Sequence, residues 1–207
     1  MAITNGYASL NEVKAALRIT DNVDNDLIEL ATESASRSID GFTGRSFWNQ
    51  GTAVRVFSAY DDYILPIDDL ATSNGLIVKS SMNSNPISYD TTWASTDIQL
   101  EPINGVLDGI AWPYTKIRAV GNYLFPYWPY PNGSGQALIQ ITGTWGWSAV
   151  PNAIKQATII QSSRYFKRFD SPLGVAGFGD FGPVRVSRLD PDVEQLVMPY
   201  RKLRNLF

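Results

Sequence analysis

WGWSAVPNAIKQATIIQSSRYFKRF, residues 145–169, is the stretch that decides the fold. A strand-like run closes at Trp145, and Pro151 follows, suited to a first helical position because its missing amide is one a helix would not bond. Ile154, Ala157, Ile160 and Gln161 then recur at helical spacing. Arg164, Tyr165, Lys167 and Arg168 end the run, where cations favour the helix dipole. A lone helix of this length cannot hold itself together in water and needs partners to cover its apolar side.

The partners lie at the other end of the chain. Ser9 and Glu12 have the spacing of a capping box, and the helix they open, LNEVKAALRI, puts Leu10, Val13, Ala16 and Leu17 on one face. TDNVDND breaks it and offers Asp24 or Asn25 as the next N-cap, with Asp26 and Glu29 near the positive end. The second helix repeats apolar residues at Leu27, Ala31, Ala35, Ile39 and Phe42, and Gly44 is its natural stop. Between the helices, AVRVFSAY, GLIVKSS, DIQLEP, YTKIRAV and ALIQITGTW read as strands of a small sheet or sandwich. FPYWPYPNGSG, residues 125–135, reads as a protruding turn, since its prolines break ladders and helices alike.

The expected fold is therefore α+β. Residues 1–50 give the helical hairpin of a bundle, 51–148 an inserted β-rich domain, and 149–169 the third bundle helix. Residues 170–188 form a glycine-rich loop followed by a short strand, VRVSR. Residues 189–207 form a terminal helix and tail, capped by Asp190 with Pro191, Asp192 and Glu194 in its first turn and ended by Pro199.

Composition narrows the chemistry. The 44% hydrophobic and 18% charged fractions fit a folded chain and argue against global disorder. There is no Cys and no His, which removes disulfides, thiolate ligands, the commonest general base and the commonest transition-metal ligand. The start, MAITNGYASLNEV, lacks a basic stretch followed by an apolar run, so no signal peptide is expected. No apolar stretch approaches the roughly 20 residues that span a bilayer. Charge is uneven: residues 1–150 carry 8 basic and 15 acidic side chains, a balance of −7, and residues 151–207 carry 9 and 5, a balance of +4. Such asymmetry suits oriented contact with charged partners, and equally an ordinary basic helix surface.

No catalytic, cofactor or metal site is expected. Asp61 with Asp62, and Asp68 with Asp69, are adjacent pairs whose side chains diverge in an extended chain, and both are read as solvated turn carboxylates. GFGDFG contains the letters DFG at 180–182, without the strand lysine and catalytic loop that give them meaning in kinases. Ser171 has no histidine to activate it. Trp112, Tyr114, Tyr123, Phe125, Tyr127, Trp128 and Tyr130 are read as core and as braces for proline turns. The alternative is a stacking platform for sugars or single-stranded nucleic acid, which would make the protein a carbohydrate- or receptor-binding module. The basic tail, with Arg201, Lys202 and Arg204, would give only weak, salt-sensitive phosphate contact.

The opening YASLNEVKAALRITDNVDNDLIELATESASRSIDGFTGRSF resembles the start of tailed-phage head-to-tail connector proteins, the adaptor or head-completion proteins that bind beneath the portal. Their helix, acidic break, longer helix and FTGR-like ending are matched here by Phe42, Thr43, Gly44 and Arg45. The closing WGWSAVPNAIKQA, YFKRFDSPLGVAG and LDPDVEQLVMPYR are similar to the longer adaptors of siphophages that infect actinobacteria. The resemblance implies a non-enzymatic virion protein of the phage neck, without cofactor. It implies a homo-oligomeric, dodecameric ring docked on the portal protein, adjoining a stopper or other neck protein, with double-stranded DNA passing through its lumen. A stopper or tail-completion place at the neck is the alternative within the family. On this basis Leu196, Val197, Tyr200, Arg201, Leu203, Arg204 and Phe207 are the expected portal-gripping residues. Leu173, Gly174, Val175, Gly177, Phe178, Gly179, Phe181 and Gly182 are the expected assembly loop, which orders against a neighbour.

Overall fold

The computed structural model describes residues 3–83, 87–107, 109–126, 136–169 and 189–202. The chain is α+β and divides into two units, one from Met1–Phe47 with Val150–Phe207 and one from Trp48–Ala149.

The helical unit holds α1 (Leu10–Leu17), α2 (Asn25–Thr43), α3 (Asn152–Phe169) and α4 (Pro191–Val197), the last continued by a 3-10 turn, Met198–Tyr200. The capping box at the start of α1 is formed: the Glu12 amide donates to the Ser9 hydroxyl at 3.3 Å and the Ser9 amide to the Glu12 carboxylate at 2.8 Å. In α2 the Asp24 carbonyl accepts from the Ile28 amide at 3.0 Å, and the Asp24 side chain makes no capping bond. Gly44 closes α2 with φ +68°, the left-handed conformation that glycine adopts without strain.

Two expectations are corrected. Ala31, Ala35 and Ile39 are buried as expected, but Leu27 is 40% exposed; Ile28 takes its place, and Thr32, Ser36 and Thr43 widen the buried face. The threonines and serine belong inside because each hydroxyl donates to the carbonyl four residues earlier and carries no unmet demand into the core. Pro151 is not the first helical residue of α3. Its carbonyl accepts from the Lys155 amide at 3.0 Å, which makes it the residue before the helix. In α4, by contrast, the Asp190 carboxylate accepts from the Asp192 amide at 3.0 Å and Pro191 is the first helical residue.

The β unit holds β1 (Asn49–Phe57), β2 (Ile64–Ser80), β3 (Thr91–Thr92), β4 (Ile98–Glu101), β5 (Val106–Leu107), β6 (Ile110–Ala111), β7 (Tyr114–Ala119) and β8 (Ile139–Gly146). Six of these form one antiparallel sheet in the order β1-β8-β2-β7-β4, with β3 pairing β2, and β5 and β6 form a separate pair. Burial alternates along β8 up to Trp145, with Ile139, Ile141, Gly143 and Trp145 turned inward, and the core they join holds Leu65, Leu70, Val78 and Ile117. The register of β2 slips between Pro66 and Leu70 and again between Thr72 and Ile77, which lets one long strand carry turn-like residues and still pair with both neighbours. Where the chain enters and leaves this unit, the Trp147 amide donates to the Trp48 carbonyl at 3.3 Å. At Gly146 φ is +92° and a Cβ would collide with that same carbonyl oxygen, so only glycine fits.

The VRVSR segment lies outside the described residues, as does all of the 125–135 turn but its first two residues.

Candidate functional site

In the helical unit the C-terminal segment meets the end of α2. Hydrophobic burial holds α4 in place through Val193 and Val197, both with no exposed surface. Tyr200 follows at 2% exposure, its ring edge-on to Phe47 at 5.7 Å and 84°. Phe47 is in turn edge-on to Tyr7 at 5.6 Å. The Phe47 amide donates to the Tyr7 hydroxyl at 2.8 Å, and that hydroxyl donates to the Asp40 carboxylate. Arg37 closes the network, with its Nε 2.8 Å from Asp40, a guanidinium nitrogen donating to the Asn5 carbonyl at 3.0 Å, and its cation 5.5 Å from the Tyr7 ring centre.

Burial raises the pKa of both acids in this network. For Tyr7 desolvation is the largest cause, and its hydrogen bond to Asp40 adds to the rise. For Asp40 desolvation again dominates, and the Tyr7 hydroxyl and Arg37 pull the other way. These bonds tie Asn5, Tyr7, Arg37, Asp40 and Phe47 together.

The 42–45 turn, the FTGR of the sequence, lies beside this network and binds the C-terminal segment directly. The Thr43 hydroxyl donates to the Ile39 carbonyl at 2.8 Å and accepts from the Arg45 amide at 3.3 Å, which fixes the turn. The Thr43 carbonyl accepts from the Lys202 amide at 2.7 Å. The Arg201 guanidinium lies over the Phe42 ring at 5.4 Å.

Of the residues expected to grip the portal, Val197 and Tyr200 are thus taken up inside their own unit, Leu196 is half-buried, and Arg201 is exposed against Phe42. Leu203, Arg204 and Phe207 lie outside the described residues. So does every residue of the expected assembly loop: Leu173, Gly174, Val175, Gly177, Phe178, Gly179, Phe181 and Gly182.

The other candidates fall elsewhere. Asp61 is a turn carboxylate, accepting from the Tyr63 and Ile64 amides at 2.8 Å. Asp68 and Asp69 are not turn residues; both sit in β2 and point opposite ways. Asp68 pairs with Arg55 at 2.7 Å, and Asp69, 9% exposed, accepts from the Trp147 indole at 3.1 Å. Among the described residues no group of acidic side chains is placed to hold a metal ion. The described members of the expected aromatic group pack on tryptophans or against the sheet's core. Trp112 packs on Trp147 at 5.1 Å, and Tyr123 and Phe125 pack on Trp93, the latter stacked at 4.7 Å. Tyr114 packs against the sheet's core. Tyr127, Trp128 and Tyr130 lie outside the described residues.

The Tyr7–Asp40–Arg37 network escapes sequence reading. Its only trace there is a tyrosine two residues before a helix cap, which by itself signals nothing.

Comparison with known proteins places this architecture. Residues 7–87 match the model of a family described as phage gp6-like head-tail connector protein, a stretch that covers α1, α2, the FTGR turn, β1 and β2. The whole chain also matches in fold a chain from the neck of an empty gene transfer agent particle computed with C6 symmetry. The TM-score is 0.54 at 19% identity, covering 100% of this chain and 95% of that one. A chain from the virion of a native gene transfer agent particle matches with TM-score 0.53 at 18% identity and the same coverage. No curated protein matches the sequence. Over residues 7–87 the chain is thus similar to the phage gp6-like head-tail connector proteins.

Proposed function

We propose that this protein is a structural, non-enzymatic component of a virion neck: a head-to-tail adaptor that forms a homo-oligomeric ring beneath the portal and extends the DNA channel. The observation that carries the reading is the connector-family match over residues 7–87. The likeness in fold to a neck chain over the full length supports it. The charge balance of residues 1–150 agrees with a channel wall, since an acidic surface repels phosphates and lets DNA slide. Assembly in the host cytoplasm, a dodecameric ring and a neighbouring stopper complete the proposal.

Within it, the residues that reach the portal belong to the C-terminal tail. Val197 and Tyr200 are core and Arg201 lies over Phe42; the proposed contacts are therefore Leu203, Arg204 and Phe207, with half-buried Leu196 beside them. Residues 170–183 are the loop that orders against a neighbouring subunit, and the β unit is an insertion into the adaptor's helical body.

The test is co-sedimentation with the portal ring of the same particle, comparing the full chain with one ending at Lys202. Ending there keeps Val193, Val197 and Tyr200 in the core, so loss of binding reports the tail and not an unfolded unit. Binding by the full chain and its loss on truncation is the expected result. Absence of binding by the full chain moves the protein to another position at the neck, and equal binding by both removes the tail from the interface.

A further inference from the structure

The geometry points to the 42–45 turn as a socket for the chain's own C-terminal segment, which fixes Lys202, the root of the tail, against the end of α2. The last carbonyls of any α-helix lack intrahelical partners and must find donors elsewhere. In α2 the Thr43 carbonyl finds the Lys202 amide at 2.7 Å, a partner from the opposite end of the sequence. Gly44 turns the backbone away from the helix with φ +68°, a conformation other residues adopt only with strain. Phe42, one residue inside the helix end, offers its ring to Arg201, which adds a cation to the negative end of the helix dipole. The segment arrives pre-aimed, because the Arg201 amide donates to the Met198 carbonyl at 3.1 Å while Tyr200 is held by Phe47.

Each element of FTGR thereby has a task in one device. Phe42 takes the cation, Thr43 supplies the carbonyl and ties the turn with its hydroxyl, Gly44 supplies the left-handed bend, and the Arg45 amide closes onto Thr43. A tail that leaves from a fixed point loses less conformational entropy on docking than one that leaves from a mobile stub, so the socket raises the tail's affinity without touching its partner. This last step rests on the adaptor reading given above, whereas the socket itself does not.

The test is amide hydrogen exchange at Lys202 in the full chain, followed by portal co-sedimentation with the same proteins. Wild type is expected to exchange Lys202 at least about tenfold more slowly than an unstructured amide. Arg201→Ala and Phe42→Leu are each expected to speed it by about two- to fivefold, leaving the Ile39 amide of α2 unchanged, and to weaken portal binding in the same order. Lys202 exchanging at the free-chain rate in wild type overturns the socket. Faster exchange at Lys202 with unaltered portal affinity overturns its role in docking. A protected Lys202 in a protein that never binds the portal supports the socket and overturns the adaptor reading instead.

Discussion

In the β unit the buried side chains are large and apolar: Leu65, Leu70, Ile117, Ile139, Ile141 and Trp145. In the helical unit they alternate with hydroxyls. Thr32, Ser36, Thr43, Thr158 and Ser162 are all fully buried beside Ile28, Ala31, Ala35 and Ala157. The β unit buries few polar side chains, and of these Asp69 and Ser80 each accept from a tryptophan indole. The helices bury small hydroxyls instead, whose bonds turn back on their own helix at 2.6–2.8 Å and whose size lets α2 and α3 pack on short side chains. One unit is held by area. The other is held by area together with a few polar bonds that cross between segments far apart in sequence.

That contrast can be broken at its strongest point with Trp145→Ala. Trp145 has no exposed surface, packs on Phe57 at 5.6 Å, lies under the Arg55 cation at 4.5 Å and donates its indole N–H to the Ala53 carbonyl at 2.8 Å. Its loss is expected to cost roughly 3–5 kcal/mol in urea unfolding followed by circular dichroism. A cost below about 1 kcal/mol would mean that the sheet is not held by this core.

The helical unit is sharpened by three hydroxyl deletions that differ only in what each hydroxyl bonds. Tyr7→Phe removes the acceptor of the buried Phe47 amide and the donor to Asp40, and is expected to cost about 1–3 kcal/mol. Ser36→Ala removes the acceptor of the Tyr7 amide at 3.1 Å, and its cost should fall at the lower end of that range. Ser162→Ala removes a bond to the Thr158 carbonyl of its own helix and is expected to stay within about 0.5 kcal/mol. Equal effects from Ser36 and Ser162 would show that crossing between segments is not what matters.

The smallest effect is electrostatic. Bonds from the Ser9 amide, then from Lys155 at 3.0 Å, hold the Glu12 carboxyl down at about 2, from an ordinary value of 4.5. A folded-state pKa below the unfolded one contributes stability above pH 4.5 that is lost as pH falls towards 2. Asp40, raised by burial, has the opposite sign: its ionisation works against the fold, so protonation on acidification favours the native state. Acid titration of stability in Glu12→Gln should therefore be flatter below pH 4.5 than in wild type. An unchanged slope would assign the acid sensitivity to other carboxylates.

What could be read in advance follows the range of the forces. Helix ends set by neighbours in sequence, such as Ser9 with Glu12 or Asp190 with Pro191, are legible because the physics is local. The α+β class is legible because the two periodicities differ, with β8 alternating and α3 repeating at helical spacing. Strand β2 is half hidden: GLIVKSS reads as a strand, whereas Asp68 and Asp69 read as turn residues until their partners elsewhere in the β unit are known. The buried face of α2 is legible at Ala31, Ala35 and Ile39 and missed at Thr32, Ser36 and Thr43, because patterns are counted on apolar side chains. The partners of Tyr7 at positions 36, 40 and 47 and of Thr43 at 202 are set by the tertiary fold, and no local rule reaches them.

The closure of the β unit at its own two ends bears on how the chain folds. Asn49 pairs with Gly146 and the Trp147 amide reaches the Trp48 carbonyl, so entry and exit lie side by side, zipped by β1 against β8. Before that pairing, bringing α2 and α3 together means closing a loop of about 100 residues, an entropy cost on the order of 4 kcal/mol by the logarithmic law for flexible chains. Once β1 and β8 are zipped, that cost has fallen on the sheet. The helices are then joined through neighbouring points, as if the long insertion were a short connection.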